Sequence, residues 1–312
     1  MNAYEKFNRL AQQVTSEVIA QLAQGRVPWQ QPWTCYGLPK NYLSGRPYEG
    51  FNAFYLQHVT EKRRFAAPYF LTFRQALELG GHVKKGEKGT PIVYWKIREG
   101  KARENEAGQG EGEKEGPARK FVPFIWTVFN IEQIAGADLA LPAAVEHTEW
   151  QVIAACQQVV ESYPMPRPHI GHGGTQAYYA PVSDRVQLPE LKCFASPHAY
   201  HATLFHELIH STGHPQRLSR FTEKAGRLAE EDYSKEELIA EMGASFLCAF
   251  TGIREAVFGN SVAYLKGWAG SLKDDKTMLL SAGTRAFRAA SYILGLKAEE
   301  RREALPPAAM AA

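Results

Sequence analysis

Tyr4, Phe7, Leu10, Ala11, Val14, Val18, Ile19 and Leu22 recur at helical spacing, which predicts an opening helix over residues 4–25 with Gly25 placed to end it. The periodicity then lapses. Residues 27–50, which include VPWQQPW and YGLPKNYLSGRPYEG, are rich in Pro, Gly and aromatic residues; this breaks regular helix and predicts an ordered, irregular loop. Short helices are expected over 51–59 and 72–79. Strands are expected over 90–99 and 120–130, where β-branched and aromatic residues dominate. The segment between them, KARENEAGQGEGEKEGPAR, is rich in Gly and Glu and has no aromatic residue, as suits a mobile excursion of a hairpin.

Past an Ala- and Pro-rich stretch at 136–146 the pattern changes. A helix is expected over 149–163, followed by the Pro-rich run PMPRPH and a pair of short strands or an edge strand over 178–188. From His198 to about Leu296 the pattern is helical, in three or four segments, before an Ala/Pro tail. No repeat or heptad array is present. The expected class is α+β: a mixed domain over 1–135, a linker over 136–147, a mainly helical domain with a small sheet over 148–297, and a tail over 298–312.

Composition removes several alternatives. With 312 residues, 45% hydrophobic and 12% aromatic, the chain is neither collagen-like nor wholly disordered, and each half can bury its own core. No apolar run approaches the roughly 20 residues needed to span a bilayer. The start, MNAYEKFNRLAQQ, lacks the basic-then-apolar layout of a secretory signal, so a cytoplasmic protein with no membrane partner is expected. Cys35, Cys156, Cys193 and Cys248 form no C-x-x-C pair, which argues against a disulfide framework or a thiolate zinc site and suggests small buried hydrophobes. The net charge of +3 conceals an asymmetry. Residues 1–130 hold 19 Lys+Arg against 12 Asp+Glu, whereas 131–312 hold 17 against 21. A basic first half points to an anionic partner, with nucleic acid the leading candidate over a merely solvated basic face.

The sharpest chemical signal is His206-Glu207-Leu208-Ile209-His210 within ATLFHELIHSTGH, an H-E-x-x-H motif. On a helix, positions i and i+4 share a face, so both imidazoles reach one Zn²⁺ while Glu207 lies beside the open coordination position as general base. Leu204, Phe205, Leu208 and Ile209 give that helix an apolar flank, and Gly213 ends or bends it. A third ligand is required. The metzincin pattern has its Gly at Gly213 but meets Gln216 where the third His belongs, and His214 suits a cap or surface position better. The segment Ser234 to Ala244 offers Glu instead, with Ser234 and Glu237 in capping-box spacing at the opening of a further helix. It resembles the E-x-x-x-D/E segment of gluzincins, which implies Glu237 as ligand and Glu241 as the acid that orients a ligand imidazole. Both lie on one helical face, so the two roles are open to exchange. Zinc is the expected metal, with Mn²⁺ or another divalent ion as alternatives, and the chemistry is metal-assisted peptide hydrolysis. Tyr233 and His214 are oxyanion-donor candidates by proximity in sequence alone, and the 178–188 segment could hold an extended peptide by strand addition.

In the first half, Trp29, Trp33, Tyr36, Tyr42, Tyr48, Phe51, Phe54 and Tyr55 interleave with Arg26, Lys40 and Arg46. Rings that stack on bases, beside cations that meet phosphates, are what single-stranded nucleic acid requires, although any one of these rings is more simply explained as core. Gly80 to Gly89 forms a glycine-punctuated basic turn in which Lys84, Lys85 and Lys88 suit a phosphate-tracking loop. It lacks Walker spacing. Lys62, Arg63 and Arg64 add a basic run that a solvated helix end explains equally well.

Taken together, Trp29-x-x-Pro32-Trp33, Asn41-x-x-x-Gly45-Arg46-x-Tyr48-x-Gly50-x-Asn52, Thr72-x-x-Gln75, Gly80-x-x-Val83-x-x-Gly86-x-Lys88 and Val128-Phe129-Asn130 resemble the ArdC family of plasmid antirestriction proteins. Its N-terminal domain also heads TraC-type primases. Tyr178 to Pro189, His206 to His214, Arg217-Leu218 and Glu236 to Ala244 resemble the zincin-type peptidase domain found beside it. The resemblance covers nearly the whole chain with motifs in order. It implies an N-terminal domain that binds single-stranded DNA, with Asn52 among its residues, and a C-terminal metallopeptidase-like domain, together shielding incoming plasmid DNA from host restriction during conjugation. A host restriction enzyme or another protein is then the expected substrate. Two other functions fit the residues: a DNA-binding shield whose metal is structural, and a protease whose basic half grips an acidic protein.

Overall fold

The opening helix forms as its spacing predicts. In the computed structural model, which describes residues 2–27, 36–99, 119–141, 148–221, 230–253 and 262–296, α1 runs Ala3–Leu22 and is opened by a capping box. The Asn2 side chain accepts the Glu5 N–H at 2.8 Å and the Glu5 carboxylate accepts the Asn2 N–H at 2.9 Å. Phe7, Leu10, Ala11, Val14, Val18 and Leu22 are buried, whereas Tyr4, expected on that face, is 48% exposed because it lies in the first turn, at the end of the buried stripe. Gly25, at φ 72°, lets the chain turn so that the Arg26 N–H reaches back to the Gln21 carbonyl.

The first half continues with β1 (Lys40–Asn41), α2 (Gly50–Arg63), β2 (Tyr69–Thr72), α3 (Phe73–Glu78), β3 (His82–Val83), β4 (Thr90–Glu99), β5 (Arg119–Asn130) and β6 (Ile134–Ala135). Helix α2 is one turn longer than expected. It is buried from Gly50 to Thr60, and its extra turn, ending at Arg64 in a left-handed conformation, carries Lys62 and Arg63 into solvent contact. Two side chains of that turn are tied down: Lys62 pairs with Glu17 at 2.8 Å and Arg63 with Glu87 at 2.6 Å. The main sheet has the order β1-β2-β5-β4, with β1 parallel to β2 and the rest antiparallel. The hairpin β4–β5 pairs from Thr90↔Val128 to Glu99↔Arg119. β3 and β6 form a separate pair. The expected excursion of that hairpin, Trp29, Trp33, Cys35, residues 142–147 and the tail lie outside the described residues.

The second half comprises α4 (Glu149–Ser162), β7 (His169–His172), β8 (Tyr178–Ala180), β9 (Arg185–Leu188), α5 (Pro197–Ser211), α6 (Glu230–Thr251), α7 (Val262–Asp274) and α8 (Met278–Ile293). The sheet order is β7-β9-β8, so the expected pair of strands is β8–β9, and β7 joins it in parallel. The sequence pattern does not predict β7, because Pro-rich flanks and Gly171 conceal a strand whose stability comes from pairing with a distant segment. Cys156 and Cys248 are buried as expected, but Cys193 is exposed, on a short 3-10 turn over Leu191–Cys193. Helix α6 is already under way at Glu230, ahead of Ser234. Ser234 therefore sits inside the helix and is no cap: the amides ahead of it already point to helical carbonyls, and a Ser-x-x-Glu spacing acts as a box only where amides are free.

The two halves share a core. Helix α8 touches α1, α2, α4, α5, α6 and α7, and one continuous buried cluster runs from Phe7 and Phe51 to Leu208, Met242 and Ile293. Among the described residues no helix is long and apolar enough to cross a membrane.

Candidate metal centre

Ser196 caps α5 by accepting the Ala199 N–H at 3.1 Å, and Pro197 takes the first turn, where its missing N–H costs nothing. Leu204, Phe205, Leu208 and Ile209 are buried as the motif helix requires, which leaves His206 and His210 together on the remaining side. Their rings lie 4.7 Å apart, centroid to centroid, at 80°. The helix ends at Ser211, and Gly213 follows it closely overlaid by Phe221, whose ring a Cβ would meet at 2.6 Å.

Helix α6 brings three carboxylates to these two imidazoles. His206 Nε2 and His210 Nε2 are 3.1 Å apart; Glu237 Oε2 is 3.5 Å from the first and Glu237 Oε1 3.4 Å from the second. An ion bound by imidazole and carboxylate at about 2.0–2.2 Å, with angles of about 90–110°, holds its ligand atoms about 3.0–3.6 Å from one another. The Nε2–Nε2 separation falls in that range, and each Nε2 meets its own oxygen of Glu237 at a similar distance, so two imidazoles and one carboxylate converge as a divalent metal requires. The other side of each imidazole also meets an acid. Glu241 Oε1 is 3.9 Å from His206 Nδ1, and Glu236 Oε1 is 3.4 Å from His210 Nδ1. Of the two acids left open by the sequence, Glu237 faces both Nε2 atoms and Glu241 backs one ring. Glu236 escapes sequence reasoning. It precedes Glu237 by one residue, about 100° around the helix, and only the packing of α5 on α6 reveals that it reaches the His210 ring.

The site is strongly coupled electrostatically. Burial opposes the charge on His210, but hydrogen bonds to Glu236 and Glu237 and the charges of Glu237 and Glu207 outweigh it and raise its pKa to about 10. Burial also opposes the charge on Glu237 and Glu236. The His206 and His210 imidazoles hold Glu237 well below the usual carboxylate range, and His210 with Arg220 lowers Glu236. So many buried carboxylates demand positive charge in their midst. Glu207 is buried in the same helix turn as the two imidazoles. Of the oxyanion candidates, Tyr233 lies one turn before Glu237 on α6 and is half-exposed, while the His214 Nδ1 accepts the Gln216 N–H at 3.3 Å. β8 is an edge strand of a sheet that packs on α5.

The residues expected at a nucleic-acid face are placed less uniformly. Lys40, Tyr42 and Arg46 are placed at the surface or half-buried, and the Tyr42 hydroxyl donates to the Ala140 carbonyl at 3.0 Å. The turn carrying Lys84, Lys85 and Lys88 is largely open to solvent, with Lys84 Nζ donating to the Glu132 carbonyl at 2.8 Å. Tyr48 and Asn52 are not placed as a stacking face requires. Tyr48 is 5% exposed and packs edge-on against Phe70, so its ring offers no face for stacking. Asn52 is buried and spends its amide on β4, donating to the Val93 carbonyl and accepting the Val93 N–H, each at 2.8 Å. Open aromatic surface lies elsewhere, at Trp95 (46% exposed) and Trp126 (43%) on the β4–β5 hairpin, where Lys96 Nζ also sits 4.8 Å from the Phe124 ring centroid. Strand patterning marks these residues as β but does not say which face stays open.

A family model described as the N-terminal domain of anti-restriction factor ArdC matches residues 8–129, and one described as a zincin-like metallopeptidase matches residues 164–285. The uncharacterized protein y4eC of Sinorhizobium fredii (strain NBRC 101917 / NGR234) is 30% identical over 302 residues, covering 96% of this chain and 95% of that protein. A DNA primase TraC of Escherichia coli is 33% identical over 302 residues, covering 93% of this chain; the chain spans only 20% of the primase's length. Two crystal structures of the antirestriction protein ArdC from the R388 plasmid superpose on the chain. The metal-free form gives a TM-score of 0.68 at 33% identity and the Mn(II)-bound form 0.67 at 34%, each covering 91% of this chain and 96% of that one. With both domains matched in order and nearly the full length of a solved relative covered, the chain belongs to the ArdC family of antirestriction proteins.

Proposed function

We propose that this chain binds single-stranded DNA through its first 135 residues and holds one divalent metal between His206, His210 and Glu237, acting in the cytoplasm to protect incoming plasmid DNA from restriction during conjugation. The observation that carries the metal assignment is the convergence of His206 Nε2, His210 Nε2 and the Glu237 carboxylate, at separations of 3.1, 3.4 and 3.5 Å. A relative at 34% identity has been crystallised with Mn(II). Two imidazoles and one carboxylate, with no thiolate, suit Zn²⁺ and also Mn²⁺. DNA binding is supported by the basic first half, by the lysine-bearing turn of Lys84, Lys85 and Lys88, and by a domain shared with TraC primases.

A metal held there supplies Lewis acidity toward a substrate carbonyl and a water molecule. The rest belongs to the chain. Glu207 takes the proton of the attacking water and hands it to the leaving amine. Glu241, behind the His206 ring, orients that imidazole from its Nδ1 side, and α6 sets the distance of Glu237 from both rings. The exposed edge of β8 is where an extended peptide would add. A protein of the host, such as a restriction enzyme, is the proposed substrate.

Elemental analysis after dialysis tests the ligand assignment. One equivalent of metal in wild type, lost in Glu237→Ala and kept in Glu241→Ala, is expected; the reverse pattern exchanges the two acids. A second reading, in which the metal only staples α5 to α6, draws on the core that these helices share with α1, α2 and α8. In that reading Glu207→Ala leaves protection against restriction intact.

A further inference from the structure

The loop after the motif helix does more than leave it. Arg220 grips Glu236 with two hydrogen bonds, from Nη2 to Oε1 at 2.6 Å and from Nε to Oε2 at 3.0 Å. The same guanidinium donates to the Ile209 carbonyl at 2.8 Å and to Thr212 Oγ1 at 2.6 Å. The side chains of Arg220 and Glu236 are each only 9% exposed. Glu236 Oε1, held by Arg220, is the atom that lies 3.4 Å from His210 Nδ1.

A ring with a proton on Nδ1 shared with a carboxylate presents its Nε2 lone pair outward, and here that points at His206 Nε2 and Glu237. Glu236 can do this only if its carboxylate stays aimed at the ring, although it adjoins Glu237 and shares the helix with Glu241. A lone buried carboxylate among others is costly, and a bidentate guanidinium both compensates its charge and fixes its plane. Because Arg220 also binds the carbonyl of Ile209, the residue before His210, it references the acid to the backbone turn that carries the ligand.

We propose that Arg220 is a positioning residue of the metal centre, acting through Glu236 to fix the His210 ring for metal binding. The inference rests on the metal-centre reading above and adds to it a residue outside both ligand helices. The test is Mn(II) affinity, read from the aqueous Mn(II) signal in electron paramagnetic resonance during titration of the full chain. Arg220→Met and Glu236→Ala are each expected to weaken binding by about 10- to 100-fold. The double variant is expected to bind no worse than Glu236→Ala alone, since Arg220 acts through the acid. Arg220→Lys, which keeps charge but loses the fork, falls between. A merely structural Arg220 would weaken binding equally in both backgrounds, and that result overturns the proposal, as does unchanged affinity in Arg220→Met. Should Arg220→Met not fold, Glu236→Gln serves: it preserves size while losing the charge that Arg220 holds, and unchanged affinity there is equally contrary. If wild type itself binds no Mn(II) that His206→Ala abolishes, the metal-centre reading fails instead.

Discussion

Gly243 of α6 lies so close to Ile209 of α5 that a Cβ on it would stand 2.7 Å from Ile209 Cδ1 and 2.9 Å from two further atoms of that side chain. Ile209 sits between the motif's Leu208 and His210, fully buried. The absent side chain therefore sets the distance between the helix bearing both imidazoles and the helix bearing Glu237.

Gly243→Ala is accordingly expected to push α6 outward. Overpacking of this kind costs about 1–3 kcal/mol, so the thermal midpoint should fall, and metal affinity should fall with it. Pairing the change with Ile209→Val, which frees one methyl, should restore part of both. Calorimetry with and without added Mn(II) would register the two effects together; a Gly243→Ala protein with unaltered metal affinity would show that the spacing is not critical.

Acid stability should depend on Asp184. Its partner Arg217 is a fully buried side chain that donates to Asp184 Oδ2 at 2.9 Å and to Oδ1, and also to the Ser211 carbonyl at 2.7 Å at the end of α5. Burial pushes the Asp184 carboxyl up, but the bonds from Arg217 and Tyr179 and the Arg217 charge outweigh it and hold it below its ordinary value. A carboxyl lowered on folding contributes stability that is complete above its unfolded value, near about pH 4, and is lost as the pH falls through the folded one. Asp184→Asn should cost about 1–3 kcal/mol at neutral pH by stranding a buried guanidinium. It should also flatten the acid limb of the denaturant midpoint. An unchanged limb would place the acid sensitivity elsewhere.

Tyr48 and Asn52 should behave as core residues. Tyr48→Ala removes a buried ring and is expected to cost about 3–5 kcal/mol. Asn52→Ala leaves the Val93 N–H and carbonyl without their partner, at about 1–3 kcal/mol. Neither should change the salt slope of single-stranded DNA binding in protein that remains folded. Lys85→Ala and Lys88→Ala should instead leave stability within about 0.5 kcal/mol, and each phosphate that goes without its lysine should reduce the log-log salt slope by about 0.7. Equal slopes in all four variants would remove the glycine-flanked turn from the DNA-binding face.

These contrasts separate what one element encodes from what two elements encode together. The limits of β4 and of α4, the two imidazoles of α5 and a Glu on the following helix are legible in the sequence, because each follows from a period or a spacing within one element. What escapes depends on two elements meeting. β7 exists because Arg185–Leu188 pairs with it. Glu236 matters because α5 brings the far side of His210 to it. Tyr48 and Trp126 are both aromatic, but only the packing of α2 and β2 against the hairpin decides that the first is core and the second open. The capping-box spacing at Ser234 misleads for the same reason in reverse: a local pattern is matched inside a helix already under way four residues earlier.

Glu207→Ala separates chemistry from binding. Metal content and single-stranded DNA affinity should match wild type, because the proposed ligands are untouched, while the proposed peptide hydrolysis should fall by about 10²- to 10⁴-fold if Glu207 is its general base. Metal loss in this variant would mean that Glu207 serves as a ligand.

In the proposed metal centre one divalent metal sits between His206, His210 and Glu237. Crystals grown with Mn(II) or Zn(II), with diffraction collected at the metal's absorption edge, test it directly. A single anomalous peak about 2.0–2.2 Å from His206 Nε2, His210 Nε2 and a Glu237 oxygen is the expected result. A peak bonded to other residues, or none between these three, would contradict it.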